Sequence, residues 1–425
     1  MKERIAIIEG LRTPFCKAGG VFKDWEAEDL GAFVVKELLD RVEVSPNEID
    51  ELIFGNVLQP PHASNIARVV AFKGGLPVKV PAFTVNRNCA SGLEAITTSA
   101  NEIWNGEAAI IVAGGTESMS NFPVLFGKQM REWLREFSKA KNWKEKLKSL
   151  VALRFSFFSP EVPSISDPLC GMSMGQTAEV LAREFRVTRE EQDAYALLSQ
   201  QRSAQALDEG RLAEEIVPIP APPSYQMQLV DDGIRRGQTV GALSKLKPVF
   251  DKVTGTVTAG NSSQVTDGAA AVLLMRESEA KKRNLTPLGY LRDYAFAALE
   301  PKRMGLGPVF ASSKLLQKTG MAVNDFDLIE INEAFAAQVI AVEKAFASKE
   351  FAKKELNRDK ALGEIDRARL NVNGGAISLG HPIGVSGARL VLTILKELQR
   401  RKKNRGLVTL CVGGGQGEAA IVEVA

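Results

Sequence analysis

The sequence predicts a duplicated α/β fold with a long inserted loop domain. Three observations carry this: apolar runs alternating with amphipathic stretches at both ends, two strand–loop–helix passages built to one plan, and a middle region that breaks the rhythm. The short apolar runs fall at 5–8, 51–57, 82–86 and 108–114, with helix-like segments between them. Ser45-Pro46-Asn47-Glu48 has the form of a capping box with Pro at the first helical position and predicts a helix start. Thr188-Arg189-Glu190-Glu191 repeats the device ahead of a long helix ending at Gly210.

The duplication is read from matching passages. In the first, a strand at 82–86 runs into Cys89 and then a helix with Leu93, Ile96, Ala100 and Ile103 on one face. In the second, a strand at 370–372 runs through a glycine-rich turn to His381 and a helix carrying Leu390, Val391, Ile394, Leu395 and Leu398. Each half closes with a strand ending in glycines, at 110–115 and 407–415. Between the halves, 121–247 is rich in helix signals and punctuated by Pro218, Pro220, Pro222 and Pro223, which marks an insertion covering a site.

Composition narrows the function. A chain of 425 residues can bury a large core, and 54 Lys plus Arg against 51 Asp plus Glu leave no global basic field to attract nucleic acid. Cys16, Cys89, Cys170 and Cys411 show no metal-type pairing, so neither zinc nor a disulfide framework is expected, and the spacing suits a reducing, cytoplasmic setting. The first residues lack the apolar stretch of a secretory signal, and no window approaches the roughly 20 apolar residues of a membrane span.

Cys89 lies between a strand and the start of an apolar-striped helix, where unpaired N–H groups and the helix dipole are expected to lower a thiol pKa. Ala90 and Gly92 leave room for a substrate; the alternative is a buried structural cysteine. His381, one of only two histidines, stands in a glycine-crowded loop from Asn373 to Gly384, where backbone approaches a ligand closely and an imidazole can meet a thiolate and a substrate oxygen. His62, between Pro61 and Ala63, has the look of an ordinary loop residue. Cys411 follows an apolar strand and precedes Gly413, Gly414, Gly415 and Gly417, a place for a general acid and base, or equally for a small core hydrophobe. Asn332-Glu333-Ala334-Phe335 opens a helix after an apolar run, pointing polar groups into a crevice or simply capping the helix.

Taken together, NRNCASG around Cys89, GGTES from Gly114, NEAF from Asn332, GGAISLGHPIG around His381 and CVGGGQG from Cys411 resemble the motifs of the thiolase family, in the same order and over nearly the whole chain. The resemblance implies duplicated αβαβα layers: a first half of 1–120 plus 248–276 with the nucleophile, a loop domain of 121–247 over the coenzyme A site, and a second half of 277–425 with the histidine and the acid/base cysteine. It implies Cys89 as nucleophile, His381 favouring its thiolate, and Cys411 shuttling the proton. His381 and a water on Asn332 form one oxyanion hole, and the N–H groups of Cys89 and Gly413 the other. Ser263 and Met174 would touch pantetheine and Arg235 the adenine end. Coenzyme A is a substrate, and no bound cofactor or metal is implied.

Details resemble the β subunits of fatty-acid oxidation complexes, including Ser173-Met174-Gly175 without a preceding histidine and an extended 121–167 segment, although those subunits typically carry His where Asn332 stands. A homodimer or tetramer, with or without a hydratase/dehydrogenase subunit, is implied. Within 126–158, Met130, Trp133, Phe137, Ala140, Trp143, Leu147 and Leu150 recur at helical steps beside Lys128, Arg131, Arg135, Lys139, Lys141, Lys144, Lys146 and Lys148. This predicts a basic amphipathic helix that docks on an anionic membrane or a partner, or else packs on its own domain with solvated lysines. Competing functions are a biosynthetic thiolase condensing two acetyl-CoA, a decarboxylating ketoacyl synthase, whose usual second histidine is missing, and a non-catalytic lipid carrier or scaffold.

Overall fold

The computed structural model describes residues 3–161 and 166–424. It divides into two compact units, one of Met1–Asn121 with Ser166–Ala425 and one of Phe122–Ile165. Residues 166–247 of the predicted loop domain thus belong to the larger unit.

The strands of the larger unit's main sheet are β1 (Ile5–Arg12), β2 (Glu51–Gly55), β3 (Ala82–Val85), β4 (Ile110–Glu117), β5 (Thr266–Arg276), β6 (Gly289–Ala298), β7 (Leu328–Ile331), β8 (Arg405–Val412) and β9 (Gln416–Glu423). They join in the order β7-β8-β9-β6-β1-β5-β4-β2-β3, and the short strand Cys16–Lys17 pairs on β5. Outward from the β1–β6 seam the two directions match: β1, β5, β4, β2, β3 on one side, and β6, β9, β8, β7 on the other. Leu370 bridges parallel to Ile329 where a partner of β3 would lie. The duplication is therefore written in the strand order.

The predicted strand at 370–372 does not form as a ladder. Asn371 adopts a left-handed φ of 45° and turns its side chain onto the backbone of Ile331, accepting from its N–H at 2.9 Å and donating to its carbonyl at 2.9 Å. That exchange replaces strand pairing with side-chain bonds. β1 runs past the predicted Ile8 to Arg12 because its register against β5 shifts between Ile7 and Gly10 and then resumes.

The helices that matter here are α1 (Ala27–Arg41), α2 (Ser91–Asn105), α3 (Lys128–Lys139), α4 (Trp143–Val151), α5 (Met174–Glu184), α6 (Arg189–Asp208), α7 (Gly307–Thr319), α8 (Ala336–Ala347) and α9 (Ser386–Arg401). Alternation along the strands assigns each face. Ile5 and Ile7 pack with α2 and α9, whereas Ala6 and Ile8 pack with α1. On β8, Val408, Leu410 and Val412 join the α2–α9 core, and Leu407 and Cys411 face α7 and α8. The result is five layers with α2 and α9 buried between the two half-sheets, the layering the motifs imply.

The central helices touch closely. A Cβ on Gly387 would stand 2.4 Å from the Leu93 nitrogen, and one on Gly92 would stand 2.9 Å from the Val385 carbonyl oxygen. Gly92 is thus required by helix packing against the His381 side, not by substrate access as the sequence led us to expect.

The Thr188 box forms as predicted: Thr188 Oγ1 accepts from Glu191 N at 3.2 Å, Glu191 returns the bond at 2.6 Å, and Gly210 ends the passage with φ of 73°. The Ser45 box forms too, but it caps only a single 3₁₀ turn, Pro46–Glu48, because the chain must enter β2 at Glu51, and just before it the Asp50 carboxylate receives the N–H groups of Ala109 and Ile110.

In the small unit the predicted single helix is two. Asn142 accepts the N–H of Glu145 and starts α4 anew, so the apolar stripe from Met130 to Leu150 is broken at 140–142. Trp133 stacks on Phe137 at 5.1 Å and donates to Ser149 O at 2.8 Å. Met130 is buried, while Leu134, Trp143, Leu147, Leu150 and Phe155 remain exposed. Among the described residues no helix is long and apolar enough to cross a membrane.

Candidate active site

β3 delivers the chain to a tight turn at Cys89. Asn88 takes a left-handed φ of 45°, its N–H donates to Asn86 Oδ1 at 2.9 Å, and its Nδ2 donates to Gly413 O at 2.8 Å. Ser91 Oγ accepts from Arg87 N at 2.9 Å and donates to Asn88 O at 2.7 Å, closing the turn. The backbone N–H groups of Gly413 and of Cys89 itself bear on the Cys89 thiol and act to lower its pKa. These donors favour a thiolate, but burial outweighs them and pushes the Cys89 thiol up, with the Glu117 carboxylate adding to the rise. The expected lowering by the helix start is thereby overturned: α2 begins only at Ser91, and desolvation decides.

β8 brings Cys411 to the same place. It is fully buried, and burial together with the neighbouring Cys89 sulfur pushes its thiol up as well. The turn into β9 uses left-handed φ of 89° at Gly414 and 75° at Gly415, and the Gly414 N–H is held by Asp167 at 2.7 Å. A Cβ on Gly413 would lie 3.4 Å from Met174 Sδ, so the first residue of α5 flanks this turn.

His381 is fixed from several directions. Its N–H donates to Gln264 O at 2.9 Å, and its Nδ1 lies 2.6 Å from Ser386 Oγ. The Ser386 hydroxyl donates its one proton to Pro382 O at 3.1 Å, so it accepts from Nδ1–H, which leaves Nε2 bare. Asn332 Nδ2 lies 3.5 Å from that nitrogen. Burial, with the Arg389 cation adding to it, lowers the His381 pKa to about 4, so the imidazole is neutral at pH 7. Asn332 Oδ1 is buried and makes no hydrogen bond among the described residues. The glycines before His381 serve packing rather than a ligand: a Cβ on Gly375 would stand 2.4 Å from the Glu333 carboxyl carbon.

The remaining predicted residues fall as follows. Ser263 donates its N–H to Ala334 O at 2.9 Å and directly precedes Gln264, which places it between the Asn332 and His381 loops. Arg235 is exposed, its N–H bonded to Gln200 Oε1 at 2.7 Å. His62 pairs with the buried Glu28 at 2.9 Å. Cys89, Cys411, Gly413 and Met174 thus cluster, and Asn332, His381 and Ser263 form a second group whose Asn332 N–H donates to Thr409 O on β8 at 3.1 Å. Sequence reasoning gave no role to Asn88, Ser386, Gln264 or Glu117; a polar residue directly before Cys89 and a hydroxyl five residues after His381 were the available signals.

A site of this kind holds neutral thiols and a neutral imidazole, with the bare Nε2 able to take a proton and the Cys89 and Gly413 N–H groups able to hold a developing oxyanion. Comparison with known proteins gives the family. Residues 5–278 match the family description "Thiolase, N-terminal domain" and residues 285–424 match "Thiolase, C-terminal domain". The chain is 44% identical over 423 residues to a 3-ketoacyl-CoA thiolase of Photorhabdus laumondii, covering 99% of this chain and 97% of that protein, and 43% identical over the same coverage to one of Aeromonas salmonicida. Human mitochondrial 3-ketoacyl-CoA thiolase in complex with CoA superposes with a TM-score of 0.84 at 38% identity, covering 100% of this chain and 98% of that one. A Bacillus anthracis acetyl-CoA acetyltransferase superposes with a TM-score of 0.86 at 35% identity over 100% and 99%. The chain belongs to the thiolase family.

Proposed function

We propose that the protein is a 3-ketoacyl-CoA thiolase, cleaving 3-ketoacyl-CoA with free coenzyme A to acetyl-CoA and a shortened acyl-CoA in fatty-acid β-oxidation. The observation that carries this is the junction of the Cys89 turn with the glycine corner after Cys411, where Asn88 Nδ2 donates to Gly413 O at 2.8 Å. Cys89 Sγ attacks the 3-keto carbon and its proton passes to His381 Nε2. The carbon–carbon bond then breaks, and the enolate oxygen is held by the protonated His381 and a water on Asn332 Oδ1, an acceptor with no partner among the described residues. Cys411 protonates the acetyl-CoA carbanion, takes a proton back from the incoming CoA thiol, and the CoA sulfur displaces the acyl group from Cys89 through a tetrahedral oxyanion on the Cys89 and Gly413 N–H groups, the departing Cys89 thiolate recovering its proton from His381. Because both thiols are pushed up by burial, each is a proton donor at rest, which suits Cys411 to protonating carbon.

Coenzyme A would lie along Met174 and Ser263 with its adenine end toward Arg235, under the 121–247 segment; the halves of 1–120 plus 248–276 and 277–425 would supply the nucleophile and the acid/base pair. Homo-oligomers, a hydratase/dehydrogenase partner and a cytoplasmic setting belong to the same proposal. The exposed apolar side chains among the lysines of α3 and α4 support contact of 126–158 with anionic lipid. Liposome cosedimentation with and without 126–158 tests it, and equal pelleting disposes of it. A chain-length series from acetoacetyl-CoA to 3-ketohexadecanoyl-CoA tests the main assignment; turnover of the shortest substrate alone would refute it.

A further inference from the structure

Glu117, the last residue of β4, is fully buried and receives four N–H groups. Oε1 accepts from Asn56 Nδ2 at 3.1 Å and Leu58 N at 3.0 Å; Oε2 accepts from Val57 N at 3.1 Å and Gly384 N at 2.9 Å. Asn56, Val57 and Leu58 form the loop after β2, and Gly384 belongs to the loop that carries His381. The backbone here has no slack. The Gly384 carbonyl oxygen lies 2.1 Å from where a Cβ on Gly115 would stand, 2.7 Å from one on Gly55 and 3.0 Å from one on Gly92. A loop of the second half is thus wedged between the ends of β2 and β4 and the first turn of α2, which follows Cys89.

We propose that Glu117 is the positioning residue of the Cys89–His381 pair, its carboxylate fixing the 381–385 loop to the strand ends beside the Cys89 turn. This rests on Cys89 and His381 being the reacting groups. The chemistry demands a carboxylate: with four donors around it, only an acceptor-only group satisfies all of them, and an amide would set N–H against N–H. Burial, with the Asp267 charge adding to it, pushes the carboxyl up to about 7, so the four bonds are what hold the anion there. The same charge raises the Cys89 thiol. Glu333 holds the earlier part of the loop, accepting from Ile377 N at 3.2 Å and Asn371 Nδ2 at 3.0 Å, so His381 is tethered on both sides.

The test compares Glu117→Gln with Glu117→Asp in thiolysis and in the pH dependence of Cys89 alkylation by iodoacetamide. Glu117→Gln should lose about 100-fold in kcat, as expected for a displaced reacting pair, with KM unchanged. Its alkylation midpoint should move down, because the anion facing the thiol is gone, a shift that a purely structural role would not produce. Glu117→Asp keeps the charge but withdraws it by one methylene, so it should restore the midpoint and only part of kcat. A folded Glu117→Gln protein with the parent kcat and midpoint overturns the proposal. Should that variant not fold, the parent kcat in Glu117→Asp overturns it instead. Cys89→Ala run in parallel separates the two levels: if it retains thiolysis the assignment of the reacting pair fails, and if it is inactive while Glu117→Gln is not, only the role of Glu117 fails.

Discussion

The two halves of the sheet share a strand order and differ at one corner. After β4 the first half departs into residues 118–265 before returning as β5, whereas after β8 the second half turns back at once through Gly413–Gly415 into β9. The tight corner brings the Gly413 N–H to bear on the Cys89 thiol; the open one supplies Met174, Asp167 and Ser263, which surround that thiol's neighbours. The loops before the central helices differ as well. The same passage ends in a partly exposed cysteine ahead of α2 and in a buried histidine ahead of α9. Duplication thus brings two equivalent loops to one place, and a change of side chain puts a thiol at the end of one and an imidazole at the end of the other.

The largest effect that could break this comparison is Cys89→Ala. It removes the one sulfur able to carry the acyl group and should lower thiolysis by more than about 10⁴-fold with the melting temperature kept. Cys411→Ala should cost about 10²- to 10⁴-fold, the range of a lost general acid and base, while acyl-CoA still loads Cys89. Intact-protein mass spectrometry with peptide mapping reads this directly, and acyl label on Cys411 in the parent enzyme would reverse the division between the halves. Gly387→Ala probes the seam itself: a Cβ 2.4 Å from the Leu93 nitrogen cannot be accommodated without moving α9 from α2, and a loss of about 3 kcal/mol is expected in chemical denaturation.

The buried histidine of the second half makes a pH prediction that the half-buried cysteine turn of the first does not. His381 has its pKa lowered from 6.5 to about 4 by burial, so the unfolded chain binds the proton more readily. Its contribution to stability is present above the unfolded pKa and is lost as pH falls from 6.5 toward 4. Between pH 7 and 5 this amounts to about 2 kcal/mol, measurable as a difference in denaturation midpoint that His381→Asn should flatten. A parent curve with no acid-side loss attributable to His381 would mean that the imidazole is solvated.

Much of the site was legible in the sequence, because catalytic side chains stand at strand ends beside glycines and such letters are few. Cys89, Cys411, Asn332 and His381 were singled out that way, and the Thr188 box located the start of α6 to the residue, while its end falls at Asp208, two residues before Gly210. What stayed hidden depended on three-dimensional environment. The direction of the Cys89 shift turned on burial, which outweighs local helix geometry. The glycines at 92 and 375 read as ligand access but serve contacts to residues far along the chain. The break at Asn142, which caps α4, went unread because the apolar stripe ran across it and hid the helix boundary.

The smallest predicted effect concerns Ser386, whose hydroxyl fixes which nitrogen of His381 is bare. In the parent, Ser386 Oγ gives its proton to Pro382 O at 3.1 Å and accepts from Nδ1–H at 2.6 Å. Ser386→Ala removes the acceptor, frees the imidazole to populate the other tautomer, and leaves Nε2 protonated in part of the molecules. One hydrogen bond of this kind is worth about 1 kcal/mol, so kcat/KM should fall by roughly 5- to 10-fold. Ser386→Thr, which keeps the hydroxyl, should recover most of it if the added methyl fits beside Pro382. The cysteine turn offers the control: Ser91→Ala breaks the bonds to Arg87 N and Asn88 O without touching the imidazole, so it should alter Cys89 alkylation and leave the histidine's ¹⁵N tautomer signature as in the parent. An unchanged ¹⁵N signature in Ser386→Ala would mean that the Asn332 amide, 3.5 Å from Nε2, sets the tautomer instead.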